Sequence, residues 1–266
     1  MGKLYDTDPG DAAWALVEPH LPAAKPGGRP RSTSLRAVVN AILHLLRTGC
    51  QWRLLPRGFP PRSTVFHCYA AWRRQGVWTR LQWALHKLVR AAAGRRACPA
   101  VATMDGRSVR TTERGGVRGF DARKRIEGRK RHVLVDTLGL PFASRVEAAS
   151  ISDRVAGFRL VGGLRHAFPR LRTLIADAGH ESRGLARSLQ EHDGYTLRIV
   201  ERRQRAFRIA GLTWIVERSI AWTDRNRRLA KGCECRVQSS EAMIDLAAIR
   251  LMLNRLAPAQ SFPDTF

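Results

Sequence analysis

Two apolar runs of the sequence each end in an aspartate, and this repeated feature limits the folds available to the chain. Residues 101–104 (VATM) lead into Asp105, and residues 171–176 (LRTLIA) lead into Asp177. Short apolar runs of this kind are typical of buried strands. Two such strands lying side by side would bring both carboxylates to one rim of a sheet, within reach of a shared cation. The alternative is that each aspartate only caps the turn after its strand.

The sequence around these aspartates alternates between strand-like and helix-like runs. Two of the strand-like runs are separated by a turn at Leu138 and Gly139, which predicts a β-hairpin. Strands are predicted at 100–104, 131–136, 141–148, 171–176 and 195–200, and helices at 154–166, 182–192, 213–228 and 239–256. This order predicts an α/β fold, with a mixed sheet flanked by helices.

The chain before about residue 98 is helix-like instead, and a composition shift at 94–99 separates the two parts. Three or four short helices joined by tight turns resemble a helix-turn-helix module, although such helices are also common in purely structural roles. We predict three segments: a small all-α domain at 1–98, the α/β domain at 99–258 and a tail at 259–266.

The charge balance points to a polyanionic partner. Lys and Arg number 47 against 22 for Asp and Glu, and the formal net charge is +25. Each phosphate contact made by a basic side chain releases a counterion, so such a surface favours DNA. A GC-rich genome that inflates arginine usage is the alternative explanation.

The five cysteines lie at positions 50, 68, 98, 233 and 235, and none forms a CxxC pair. This odd count without a CxxC pair argues against a disulfide framework or a zinc site and favours a reducing cytoplasm. The sequence contains no apolar run of about 20 residues, so no membrane span is predicted.

A third carboxylate is expected from a helix beside the same rim of the sheet. Glu217 lies in the amphipathic segment 214–222 (WIVERSIAW), and Glu234 is a rival that follows Gly232 in a predicted loop. An isolated acid on a helix is more often solvated or paired with a base, so the residues alone favour Glu217 only weakly.

Long ordered strings nevertheless resemble the DDE transposases of bacterial insertion sequences, in the IS-five branch of the IS-four-like superfamily. The resemblance covers nearly the whole chain. It includes GRPRS at 28–32, the run 41–78, MDGRSVRTTERGG at 104–116, GRKRHVLVDTLGLP at 128–141, DR at 153–154, ADAGH at 176–180 and VERSIAWTDRNRRLAKGCE at 216–234.

The resemblance implies an RNase H-like catalytic domain in which Asp105, Asp177 and Glu217 are the catalytic residues and the ligands of two Mg²⁺ ions, with Mn²⁺ as a substitute. It also implies double-stranded DNA as the partner and a homodimer that pairs two element ends. The sequence departs from the family at His180, where a tyrosine is usual, and at Gly232 and Cys233, which replace an acid and an aromatic ring.

Basic residues around these motifs are predicted to bind the DNA backbone, which positions DNA without reading its sequence. A solvated basic surface without a function is the alternative. A basic arm with Lys25, Arg29 and Arg31 is also expected. The predicted DNA-binding residues are Arg62, Arg73, Arg74, Lys124, Arg125, Arg129, Lys130, Arg131, Arg218, Arg225, Arg228 and Lys231.

The resemblance therefore implies a cytoplasmic, nucleoid-associated transposase that binds terminal inverted repeats, cuts DNA and joins the ends to a target. Three alternatives remain at this point: a DNA-binding regulator that needs only the helical part, a metal-dependent nuclease without strand transfer, and a decayed, inactive transposase.

Overall fold

Helices make up the chain as far as residue 92, and a sheet begins at residue 101. The computed structural model describes residues 5–23, 27, 32–113, 116–200 and 213–258. The predicted basic arm with Lys25, Arg29 and Arg31 and the predicted tail at 259–266 lie outside these residues. No helix in the described ranges is long and apolar enough to cross a membrane.

The second helix of this part is capped at both ends. The Ser34 hydroxyl accepts a hydrogen bond from the backbone N–H of Ala37, at the start of the second helix, and Gly49 ends that helix in the left-handed conformation. The helices of this part are α1 (Asp11–Val17), α2 (Leu35–Thr48), α3 (Arg62–Arg74) and α4 (Val77–Ala92).

A single sheet of six strands follows, with the spatial order β2-β3-β1-β5-β6 and with β4 paired to β3. The strands are β1 (Val101–Arg110), β2 (Gly119–Asp121), β3 (Ile126–Asp136), β4 (Pro141–Ala148), β5 (Thr173–Asp177) and β6 (Thr196–Val200). β1 is antiparallel to β3 and parallel to β5, and β5 is parallel to β6. The predicted mixed sheet is confirmed.

Two strand boundaries differ from the sequence prediction. β1 continues to Arg110, so Asp105 lies in the middle of a strand and the prediction that it ends one was wrong. The strand continues because all of its second half pairs with β3, down to Arg110 opposite Gly128. For the same reason β3 begins at Ile126, five residues before the predicted start of this strand at residue 131.

Helices cover both faces of the sheet. The predicted helix at 154–166 is divided at Gly162 and Gly163, and Gly163 has a φ of 78° that a helix interior excludes. The predicted helix at 213–228 ends earlier, at Asp224. The remaining helices are α5 (Asp153–Val161), α6 (Leu164–Ala167), α7 (Arg183–Asp193), α8 (Thr213–Asp224) and α9 (Val237–Leu256).

The register of β1 against β3 assigns each side chain to one face of the sheet, because directly opposite residues share a face. Met104 and Leu134 pair on the face that packs in one core with Leu160 of α5. Asp105 pairs with Val133, and Val133 packs against Ile215, Val216 and Ile220 of α8. We call these the α5 face and the α8 face.

The N-terminal helices are joined to the rest of the protein by a shared core. One cluster of buried side chains contains Ile42 and Leu45 of α2, Trp78 of α4, and Ile249 and Met252 of α9. The division of the chain at residue 98 remains a prediction, and helices from both sides of it pack together here.

Asp136, at the end of β3, anchors this junction. Its carboxylate accepts hydrogen bonds from the backbone N–H groups of Leu138 and Leu140, at 2.9 Å each, as expected of a turn residue. The same carboxylate is fully buried and pairs with Arg90 and with His86 of α4, contacts that the sequence did not predict. Although burial opposes ionisation, the hydrogen bond from His86 and the other donors hold the pKa of Asp136 below its usual value.

We expect Asp136→Ala to lower the free energy of unfolding by about 3 to 5 kcal/mol, because it leaves the guanidinium of Arg90 buried without its partner. Urea denaturation of the purified protein measures this loss. Asp6→Ala, which removes an exposed aspartate, serves as the control and should change the midpoint little. Equal midpoints for the two variants would contradict the anchoring role of Asp136.

Candidate active site

Asp105 is held on the α8 face by the pairing of β1 with both of its neighbours. Its carboxylate accepts a hydrogen bond from the N–H of Gly106 at 2.7 Å. Burial raises the pKa of Asp105 to about 6, and the negative charge of Asp177 adds to this rise, while Lys124 and His180 oppose it. The side chain therefore lies in a setting that favours a bound cation over an isolated negative charge.

Asp177 ends β5 and lies beside Asp105. β1 and β5 are parallel, with Thr103 opposite Ile175, and the same register continued by two residues places Asp105 level with Asp177. The electrostatic effect of Asp177 on Asp105 agrees with this proximity. The structure thus brings together the two aspartates that the sequence identified.

His180 connects to this pair from the turn that follows β5. Its Nδ1 lies 2.9 Å from Oδ1 of Asp177, at hydrogen-bond distance. That hydrogen bond is the largest cause that holds the pKa of Asp177 below its usual value. Asp177 is consequently ionised and oriented, with nearly half of its side-chain surface exposed (45%).

Glu217 lies on α8, the helix that packs on the same face as Asp105. α8 contacts β1, β3 and β5, the three strands around the aspartate pair. Ile215, Val216 and Ile220 are buried against the sheet, and Glu217 is exposed. The helix is the predicted one, and the role of Glu217 as the third ligand remains a proposal.

Glu234, the rival third carboxylate, is engaged elsewhere. Its Oε1 accepts a hydrogen bond from Nε of Arg228 at 2.7 Å, and its side chain is only 12% exposed. Its charge acts on Tyr69 of α3, whose pKa is raised mainly by burial. This carboxylate is therefore paired near the N-terminal helices.

Four of the predicted DNA-binding residues are buried and donate to groups within the protein. Arg129 donates to the carbonyls of Val117 and Cys235, at 2.7 Å each, and Arg131 donates to that of Lys231 at 2.9 Å. Lys130 pairs with Asp153, and Arg228 with Glu234. These side chains therefore use their donors in contacts within the protein that stabilise the fold.

Two further predicted DNA-binding residues are half-buried. Arg73 donates to the Ser239 hydroxyl at 2.9 Å. The guanidinium of Arg218 lies between the rings of Trp214 and Trp222, 4.2 and 4.5 Å from their centroids, an arrangement stabilised by cation–π attraction. The six predicted residues whose side chains are exposed are Arg62, Arg74, Lys124, Arg125, Arg225 and Lys231.

The sequence analysis missed a second group of polar residues on the α5 face. This group consists of His132, Asp153 and His180. Each residue offers one ligand atom, and these three atoms lie within 4.8 Å of one another. Asp153 is the first residue of α5, behind the Ser152 cap. The sequence carries no local signal for this group, because the pairing that sets His132 opposite Gly106 joins residues distant in sequence.

Asp105→Asn should raise the melting temperature of the metal-free protein at pH 8. Because the folded-state pKa of Asp105 is about 6 and the ordinary value is 3.8, ionisation destabilises the folded state at pH values above that interval. The amide removes this penalty. Below about pH 4 the carboxyl is neutral in both states, so the difference should vanish.

Thermal unfolding at pH 8 and pH 4 in a chelator measures this effect. Asp6→Asn is the matched exposed control and should show no difference at either pH. If Asp105→Asn is less stable than the wild type at pH 8, ionisation of the buried Asp105 does not destabilise the folded state and the prediction is wrong.

Comparisons with known proteins agree with these features. The family model described as "Putative transposase of IS4/5 family" matches residues 10–82. A second family model, described as "Transposase DDE domain", matches residues 96–252, more than half of the chain.

Two curated relatives come from Burkholderia cepacia. One is "Putative transposase for insertion sequence element IS402", 28% identical over 139 residues, which are 50% of this chain and 66% of the relative. The other is "Insertion element IS402 uncharacterized 16.2 kDa protein", 39% identical over 90 residues, which are 31% of this chain and 60% of that relative. The chain thus spans slightly less than two thirds of each relative.

The second family model implies an RNase H-like fold, and the order of β4, β3, β1, β5 and β6, antiparallel and then parallel, accords with it. The fold expected from the resemblance is confirmed. With its fold, its aspartate pair and its matched segments in agreement, the chain belongs to the family described as "Transposase DDE domain", and its residues 10–82 are similar to the IS4/5 family model.

Proposed function

We propose that this protein cuts the ends of an insertion sequence and joins them to target DNA, with Asp105, Asp177 and Glu217 as the catalytic residues. The observation that carries the proposal is the placement of Asp105 and Asp177 level with each other on adjacent parallel strands, on the face covered by the helix of Glu217. Asp residues confined to turn capping would not need to share a face.

The carboxylates fit divalent ions such as Mg²⁺ by their chemistry. All three candidate ligands are hard oxygen donors, which Mg²⁺ and Mn²⁺ prefer. Burial and, to a smaller extent, the charge of Asp177 raise the pKa of Asp105, so a bound divalent cation would stabilise its ionised form. Two bound ions would supply Lewis acidity for activation of the attacking oxygen and stabilisation of the leaving oxygen.

The side chains around the site complete the proposed chemistry. His180 orients Asp177 through the bond at 2.9 Å. Water attacks the phosphodiester first, and the freed 3′-hydroxyl then attacks the target phosphate, so no covalent protein intermediate forms. Lys124, exposed and electrostatically coupled to Asp105, lies where it can pair with a DNA phosphate.

The DNA backbone is proposed to contact the six exposed cations: Arg62, Arg74, Lys124, Arg125, Arg225 and Lys231. Two of them belong to α3, in the part that resembles a helix-turn-helix module, and two follow α8. The net charge of +25 supports a polyanionic partner. We further propose that two copies pair the terminal inverted repeats within the reducing cytoplasm, where cysteine thiols remain reduced.

Asp177→Asn and Glu217→Gln should each reduce DNA cleavage by at least about a hundredfold, because each removes the negative charge of a proposed metal ligand. DNA binding should be retained, because neither substitution changes a basic residue. The assay incubates the purified protein with Mg²⁺ or Mn²⁺ and a fragment carrying the flanking genomic repeats. Glu191→Gln, an exposed helical glutamate on α7, is the matched control and should cut normally.

The products separate the possible activities in the same assay. Joining of the cut ends to a supercoiled plasmid supports the transposase, and clean cuts without joining identify a nuclease. Repeat binding without cutting by the wild type identifies a DNA-binding regulator or a decayed copy. Full activity of Glu217→Gln would remove Glu217 from the catalytic set.

Lys124→Ala should lower DNA affinity about equally for all sequences and reduce the salt dependence of binding by about one counterion. Arg170→Ala provides the control, because Arg170 is equally exposed but lies just before β5, at the end of that strand away from Asp177. Fluorescence anisotropy over a range of salt concentrations measures both slopes. Identical slopes for the two variants would exclude Lys124 from the DNA contact.

A further inference from the structure

We propose that His132, Asp153 and His180 bind a transition-metal ion of the Zn²⁺ class, on the sheet face opposite the α8 face that carries Asp105. One ligand atom from each of these residues lies within 4.8 Å of the other two, close enough for a single ion to be shared among them. Its ligands differ in kind from the three carboxylates of the proposed function, and His180 contacts one of those carboxylates, Asp177.

The three residues come from elements that the sheet fixes in place. His132 lies in β3 opposite Gly106, Asp153 is the first residue of α5, and His180 follows β5. Both histidines are 1% exposed. A site built on strands and helix termini is held more rigidly than one on loops, which favours a defined coordination geometry.

His132 is not satisfied by its protein surroundings. Its buried Nε2 has no hydrogen-bond partner among the described residues, and a buried polar atom without a partner is costly. Burial also lowers the pKa of His132, to about 4, so the ring is neutral and keeps a lone pair for a cation. Two buried imidazoles beside a carboxylate form a ligand set that a metal ion could use.

His180 has the arrangement usual for a metal-binding histidine. Such histidines donate the N–H of the nitrogen that faces away from the metal to a carboxylate or carbonyl oxygen. Here Nδ1 bonds to Oδ1 of Asp177 at 2.9 Å, which leaves Nε2 as the ligand atom. An ion at Nε2 would fix the ring and, through it, the orientation of Asp177.

Asp153 has an oxygen free for coordination. Oδ1 accepts a hydrogen bond from Nζ of Lys130 at 3.0 Å, and within the described residues Oδ2 accepts none. Lys130 also lies 3.8 Å from Asp121, so its charge is shared between two carboxylates. Lys130 therefore orients Asp153 through Oδ1, and Oδ2 remains the oxygen proposed to bind the metal.

The ligand types select the class of metal. Two imidazole nitrogens and one carboxylate oxygen suit Zn²⁺ and its neighbours Co²⁺ and Ni²⁺, whereas Mg²⁺ prefers oxygen ligands alone. Three protein ligands leave a fourth position for water. The cysteine count and spacing argued against a zinc site, and the proposed ligand set departs from that expectation because it contains no cysteine. It depends on His180, where the resembling family usually has tyrosine.

Cobalt titration of the full-length, metal-free protein tests the proposal, because Co²⁺ bound by imidazole gives visible absorption bands. We expect the bands in the wild type and in Asp105→Asn, because Asp105 is not one of the three proposed ligands. His180→Tyr, which restores the usual family residue, and His132→Asn should each weaken Co²⁺ and Zn²⁺ binding by at least about tenfold.

A direct observation covers the case in which a variant does not fold. Zinc-soaked crystals of the wild type should show an anomalous peak at the zinc edge within bonding distance of His132, Asp153 and His180. A peak only beside Asp105 and Asp177, or cobalt bands that survive in folded His180→Tyr, would overturn the proposal. If the wild type binds Co²⁺ or Zn²⁺ at these three residues and does not cleave DNA, the result would count against the proposed function alone.

Discussion

The parallel pairing of β1 with β5 is the interaction on which the site depends. It sets Thr103 opposite Ile175, and two residues later it brings Asp105 level with Asp177. The two strands are far apart in sequence, so only the sheet can hold these like charges together. The cost of doing so is visible at Asp105, whose pKa burial and Asp177 raise to about 6. The ionised carboxylate of Asp105 therefore lowers the stability of the folded protein, and a bound cation would offset this cost.

Strand alternation then divides the chemistry between the two faces of the sheet. Asp105 points toward α8, and its neighbour Gly106 lies opposite His132 on the other face. His180 joins the two sides, since it lies among the residues of the α5 face while Nδ1 contacts Asp177. Whatever occupies the histidine cluster therefore acts on Asp177 through one hydrogen bond.

Local patterns predicted much of the fold. Apolar runs identified strands that begin or end near 101, 136 and 177, and Ser34 and Gly49 marked the ends of α2. Contacts distant in sequence were not predictable in this way. The extension of β1 to Arg110 depends on its pairing with β3, and the junction of Arg90 with Asp136 depends on how α4 packs. The aspartate pair was predicted because both residues belong to local patterns, and the histidine cluster was not because its members do not.

The arginine-rich stretch around β3 shows why composition alone overstates DNA contacts. A guanidinium presents several donors in a planar fork, which suits a phosphate and equally suits two backbone carbonyls. Arg129 and Arg131 use this fork on the segment 229–235, which follows α8. They tie that segment to β3, and α8 is thereby held at both its packed face and its C-terminal end. Part of the positive charge thus supports the helix that carries Glu217, and the exposed part is left for DNA.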